Sequence, residues 1–185
     1  MTYQKVPETP TDDVGPLECH TFEEAPLAAS TRVGLVVSRF NEPVTRRLLA
    51  AAVATLRGAS IAADAIDVAW VPGSFELPLA ADRLAATGRY AAVICLGAII
   101  KGETTHDRHL ATAVATGIEQ AARQWGIPIT FGVLTCETPE QATARAGGLQ
   151  GNKGVEAAEA TLAMLRLLPH LVPATAGLAS TGPAA

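Results

Sequence analysis

The stretch from Leu96 to Leu110, LGAIIKGETTHDRHL, carries the densest set of usable groups in the chain. An apolar run ends there in Gly102, Glu103, Thr104, Thr105 and His106, and a helix-forming sequence follows. Backbone N–H groups and hydroxyls at a helix start suit an anion such as phosphate, and Gly102 allows close approach to the backbone. Glu103 is acidic, so its amide is the part that serves an anion. The imidazole of His106 can accept and return a proton near neutral pH, although a histidine at a helix start can equally be a solvated surface group.

The familiar nucleotide fingerprints do not fit. GxGxxG is absent, and GGLQGNKG lacks the GxxxxGK[ST] spacing and follows a helical pattern instead of a strand. Cys19, Cys95 and Cys136 are isolated, with no CxxC pair, which argues against both a zinc site and a disulfide framework. Cys95 and Cys136 lie in apolar runs and read as small buried hydrophobes. No metal is expected.

The elements that must position these groups alternate along the chain. RVGLVVS (32–38) is a short apolar run, followed by Asn41 and Pro43, suited to a helix cap and first turn, and then by TRRLLAAAVATLRG. The pattern recurs as IDVAWVPG before SFELPLAADRLAATG, YAAVICLGAII before HDRHLATAVATGIEQAARQWG, and PITFGVLTC before TPEQATARAGG. A last helix after the GNKG turn presents Val155, Ala158, Leu162, Leu165 and Leu168 at helical spacing. Apolar strands joined by helical crossovers predict a flavodoxin-like three-layer α/β/α sandwich on a four-stranded parallel sheet. Ligands in such sheets bind outside the carboxyl ends of the strands, where SRFN, VPGSFE, GAIIKGETTH and the stretch after FGVLTC should converge.

Composition sets the outer limits. With 185 residues, 49% of them hydrophobic and 17% charged, the chain has material for one globular core. Residues 1–30 read as a poorly packed arm, 31–168 as the folded domain beginning at Thr31, and 169–185 as a flexible tail after Pro169. A net charge of −4 disfavours nucleic acid as a partner. No apolar run is long enough for a membrane span and the start lacks signal-peptide character, so a cytoplasmic protein with no membrane partner is expected.

SRFN, VPGSFELP, GAIIKGETTH, FGVLTCETPEQATARAGG and GNKG occur in the order and near the spacing seen in lumazine synthases. The resemblance spans Arg32 to Leu168, and the joint occurrence is specific although each piece alone is weak. It implies an enzyme without cofactor that joins two small-molecule substrates, 5-amino-6-(D-ribitylamino)uracil and 3,4-dihydroxy-2-butanone 4-phosphate, into 6,7-dimethyl-8-ribityllumazine, releasing phosphate and water in riboflavin biosynthesis.

By the same resemblance Phe40, with Asn41, meets the pyrimidine ring, and Ser74, Phe75 and Glu76 meet the ribityl chain. Ala98, Ile99 and Ile100 line the heterocycle, Glu103, Thr104 and Arg145 receive the phosphate, and His106 shuttles protons. Phe131 and Lys153 match further site positions, with Phe131 supplied by a neighbouring subunit. Members of the family self-associate into pentamers or into shells of twelve pentamers, a 60-mer, and the short AGGLQGNKG connection is similar to the shell-forming type. The chain departs from the family after His106: an aromatic and then an acidic residue are usual, whereas Asp107, Arg108 and His109 stand here. Asp107 is then the acid nearest to His106, and Arg108 opposes a charged imidazole. Two other readings stay open at this point, an archaeal-type riboflavin synthase and a flavin-binding shell protein with little catalysis.

Overall fold

The computed structural model describes residues 26–171. The arm over 1–30 and the tail over 169–185 fall largely outside the described residues; of the few that are described, Leu27 packs against the core and Leu168–His170 form a short 3-10 turn.

Four parallel strands form the sheet in the order β2-β1-β3-β4: β1 (Val33–Ser38), β2 (Ile66–Val71), β3 (Ala92–Ile100) and β4 (Ile129–Cys136). β1 and β3 are central and, β3's last residue aside, wholly buried, as their unbroken apolar sequences require. Their side chains alternate between two cores. Leu35, Val37, Ile94, Leu96 and Ala98 face α1 (Glu42–Gly58) and α5 (Lys153–Leu167), while Val36, Val93, Cys95 and Ile99 face α2 (Leu77–Ala86) and α3 (His106–Trp125). Each fully buried Leu or Ile contributes about 1.5–3 kcal/mol over an exposed one. The three-layer arrangement expected from the sequence is the one observed.

Three local differences have physical causes. β2 is an edge strand and only half-buried, with Val68 exposed and Trp70 covered by the guanidiniums of Arg39 and Arg46 at 5.3 and 5.1 Å from its ring. The helix expected through TARAGG stops early: α4 is Pro139–Ala144, and β5 (Ala146–Gly148) and β6 (Gly151–Asn152) form an antiparallel hairpin in which Gly147 and Gly151 adopt φ of 97° and 78°. Finally, α5 buries Gly154, Ala157, Ala158, Thr161 and Leu162, a stripe of smaller residues than expected, with Val155 only half-buried. A methyl group on Gly154 would collide with the carbonyl oxygen of Leu48, so α1 and α5 touch backbone to backbone there.

Cys95 and Cys136 are buried free thiols, and burial raises the pKa of both, with Arg145 partly offsetting the effect at Cys136. Among the described residues no three His, Cys, Asp or Glu side chains gather as a metal site would require.

Candidate active site

A cleft of about 730 Å³ opens at the carboxyl ends of β1, β2 and β3, between their loops and the start of α3. That volume suits a small-molecule ligand. Its walls come from three sequence segments: Phe40 from the first, Pro72 to Glu76 from the second, and Ala98 to Leu110 from the third.

Backbone architecture holds each segment in place. After β1 ends, Arg39 and Phe40 donate backbone N–H bonds to the carbonyls of Val71 and Pro72 at 2.8 and 3.0 Å, so the first two segments are tied together. The buried Thr45 hydroxyl donates to the Ser38 carbonyl at 2.8 Å and pins α1 beneath the turn. Phe40 is thereby held out of the core, 70% exposed, with its ring on the cleft. Asn41 does not cap α1 with its side chain, contrary to the sequence expectation; it adopts a left-handed conformation and donates from Nδ2 to the Ala98 carbonyl at 2.8 Å. Pro43 does occupy the first turn of α1.

The second segment forms one 3-10 turn, Ser74–Glu76, before α2. Glu76 Oε2 accepts the Gly73 N–H at 2.8 Å, which closes the turn and leaves the other carboxylate oxygen available to a ligand. Ser74 is buried against Gly97, where a Cβ would lie 2.7 Å from the Ser74 hydroxyl oxygen. Gly97 therefore makes the room that Ser74 occupies.

In the third segment Ala98, Ile99 and Ile100 supply an apolar floor, and Gly102, Thr104, His106, Asp107 and Leu110 complete the wall. The His106 N–H makes a long contact of 3.4 Å to the Thr104 hydroxyl, and no hydrogen bond from the described residues restrains the imidazole. Asp107 does not pair with His106, because consecutive residues on a helix point in different directions. Its Oδ1 is buried and has no hydrogen-bond partner. Lys101 bonds Glu137 at 2.6 Å across the ends of β3 and β4 and holds the Glu137 carboxyl below its usual range, but both side chains are well exposed, so solvent screens the pair and it adds little to stability.

A second cavity, of about 790 Å³, lies on the far side of Asp107, along the end of β4. Arg145 and Lys153 border it with Cys136, Gln141 and Gln150. Lys153 is the first residue of α5, whose start is capped by Asn152 Oδ1 accepting the Gly154 N–H at 2.8 Å.

Of the residues singled out by sequence, Phe40, Ser74, Phe75, Glu76, Ala98, Ile99, Ile100, Thr104 and His106 thus meet in one cleft. Asn41 supports it from behind and Glu103 lies beside it without lining it. Arg145 and Lys153 meet each other elsewhere, and Phe131, half-buried within β4 against the α2/α3 core, borders neither cavity. Sequence reasoning missed Leu110, although its spacing of four from His106 puts both on one helix face, and it missed that Asp107 borders both cavities.

A parallel α/β sandwich with an apolar cleft at its strand ends, ringed by a hydroxyl, a carboxylate and an imidazole, defines a small-molecule enzyme of the doubly wound class. The sequence as a whole narrows that class. The 6,7-dimethyl-8-ribityllumazine synthase family matches residues 30–169, and the chain belongs to that family. A 6,7-dimethyl-8-ribityllumazine synthase of Gemmatimonas aurantiaca is 46% identical to it over 153 residues, covering 83% of this chain and 93% of the relative.

Proposed function

We propose that the protein is a transferase that condenses 5-amino-6-(D-ribitylamino)uracil with 3,4-dihydroxy-2-butanone 4-phosphate to give 6,7-dimethyl-8-ribityllumazine, phosphate and water. The observation that carries this reading is the meeting of Phe40, Ser74, Glu76, Thr104 and His106 in one cleft of a chain that belongs to this family. Phe40 stacks its exposed face on the pyrimidine, with Asn41 and Phe75 shaping that end. Ser74 and Glu76 take the ribityl hydroxyls, and Ala98, Ile99 and Ile100 flank the heterocycle. The backbone around Glu103 and the Thr104 hydroxyl receive the phosphate, together with the bidentate guanidinium of Arg145.

The primary amine of the pyrimidine attacks the ketone and water leaves to form an imine. His106 then moves the proton that accompanies loss of phosphate. Elimination of phosphate leaves an enol at the former C3 hydroxyl, which tautomerises to a ketone; the ribityl-bearing nitrogen attacks that new carbonyl, and a second dehydration closes the ring. Much of the acceleration comes from holding two substrates in contact, since proximity supplies up to about 7–11 kcal/mol.

Phe131, Arg145 and Lys153 serve the cleft of a neighbouring copy. They lie apart from their own chain's cleft, on or beside the edge strand β4, a placement suited to a heterologous contact that closes into a ring. We read that ring as a pentamer, with a 60-mer shell as the larger assembly, working in the cytoplasm, a reading supported by the family resemblance. No helix among the described residues is long and apolar enough to cross a membrane.

The test mixes the purified protein with both substrates and follows lumazine fluorescence. Product at an enzymatic rate is expected. Its absence, with riboflavin formed instead from added lumazine, would replace this reading with riboflavin synthase activity.

A further inference from the structure

We propose that Asp107 is a positioning residue that holds the Arg145 guanidinium of the same chain in the cavity along β4, from which its free N–H groups serve the cleft of the neighbouring copy. The inference rests on the reading of Arg145 as the phosphate ligand, and it adds a partner for that residue. Asp107 stands in the first turn of α3, where the helix dipole favours a carboxylate, and it borders both cavities. Its Oδ1 is buried without a hydrogen bond, and a buried acceptor left unpaired is costly, so a donor should reach it in the working protein.

The other cations nearby are engaged or lie off the shared cavity. Lys153 is held by Glu156 at 2.8 Å and Lys101 by Glu137 at 2.6 Å, and Arg108 does not border the cavity that Asp107 and Arg145 share. Arg145 borders the cavity that Asp107 borders and makes no side-chain hydrogen bond or ion pair with any described residue. A carboxylate on one side of a guanidinium fixes its plane and leaves the remaining N–H groups directed at phosphate oxygens. The position after His106, aromatic in the resembling family, is thus occupied here by an acid that orients the arginine.

The experiment uses the full-length assembled protein with Asp107→Asn, Arg145→Ala and both together. Steady-state kinetics and calorimetric titration with inorganic phosphate are measured, with assembly checked by light scattering. Asp107→Asn should raise KM for the butanone phosphate and weaken phosphate binding about tenfold, as loss of one charge-assisted bond does. It should leave kcat within about twofold and the pH profile of kcat unmoved, and the double variant should be no weaker than Arg145→Ala alone.

Multiplying effects in the double variant, or a shifted pH profile with unchanged KM, would overturn the proposal. So would a lowered unfolding midpoint without a change in KM, which marks a structural role. An effect of Arg145→Ala alongside a silent Asp107→Asn removes this proposal alone, whereas a silent Arg145→Ala removes the phosphate reading as well.

Discussion

Asn41 reaches across the sheet to the carbonyl of Ala98 and takes the place of a ladder bond that β1 is too short to supply. The β1–β3 pairing ends at Val37 and Leu96, and the Asn41 Nδ2 to Ala98 oxygen distance of 2.8 Å extends it by one rung. Asn41 accepts φ of 60° to do so, a conformation that Asn tolerates better than most residues. The bond ties the loop bearing Phe40 to the floor of the cleft.

Asn41→Ala should therefore destabilise the protein by about 1–3 kcal/mol, combining an unpaired buried carbonyl with left-handed strain. Asn41→Gly relieves the strain and should cost less. Urea unfolding of both variants checks the order, and equal costs would remove the backbone part of the argument.

A second prediction concerns acid stability. Asp67 accepts hydrogen bonds from Arg32 at 2.8 Å and from the Tyr90 hydroxyl at 2.9 Å, and these, Arg32 first, hold its carboxyl below the ordinary range. A carboxyl with a depressed folded-state pKa stabilises the fold above its unfolded value, about 3.9, and the contribution is lost as pH falls from there through the folded pKa. Asp67→Asn should lower the urea midpoint at pH 7 and differ less from wild type near pH 3. A difference that does not shrink on acidification would locate the effect in packing.

The sequence made some of this legible and hid the rest for identifiable reasons. β1 and β3 announce themselves because a strand buried on both faces has no polar residues to alternate with. Convergence of SRFN, VPGSFE and GETTH follows from parallel strands alone, since every carboxyl end points the same way. The Asn41 tether was not legible, because Asn before Glu-Pro is an ordinary capping signal and only the registry of β3 offers a better acceptor. The α5 stripe was only partly legible: Ala158 and Leu162 were expected and are buried, but Gly154 and Ala157 were passed over in favour of large apolar residues, although small residues are what let two helices approach closely. The separation of Arg145 from the cleft depends on the β5–β6 hairpin, which is built from glycines whose positive φ values no periodicity reports.

A third prediction addresses the chemistry. The His106 imidazole is exposed in the cleft and makes no hydrogen bond with a described residue, so its replacement should disturb little else. His106→Ala should reduce kcat by about 10²- to 10⁴-fold, the usual contribution of a general acid/base, while pyrimidine binding changes little. Stopped-flow turnover and equilibrium titration with the pyrimidine separate the two quantities. Wild-type kcat would exclude His106 from proton transfer.

The last prediction tests whether two chains build each site. His106 lines the cleft and Arg145 borders the other cavity near the edge strand β4, so one chain holds both but presents them to different spaces. If Arg145 serves the neighbour, a ring assembled from His106→Ala and Arg145→Ala subunits contains boundaries where an intact His106 on one copy meets an intact Arg145 on the next. In an equimolar random mixture about one boundary in four has this pairing, because a directional contact distinguishes giver from receiver. Each variant alone should be nearly inactive under subsaturating butanone phosphate, and reassembly of the mixture should restore roughly a quarter of wild-type activity. Mixing without dissociation and reassembly should restore nothing, which separates subunit exchange from simple addition of residual rates. A Phe131→Ala subunit in place of Arg145→Ala should give the same recovery, since both residues would be given by the same copy. By contrast, Arg145→Ala mixed with Phe131→Ala should recover little, because every giver then lacks one of the two. Should Arg145→Ala and His106→Ala fail to complement in rings shown by light scattering to be mixed, both residues act within one chain and the shared site is wrong.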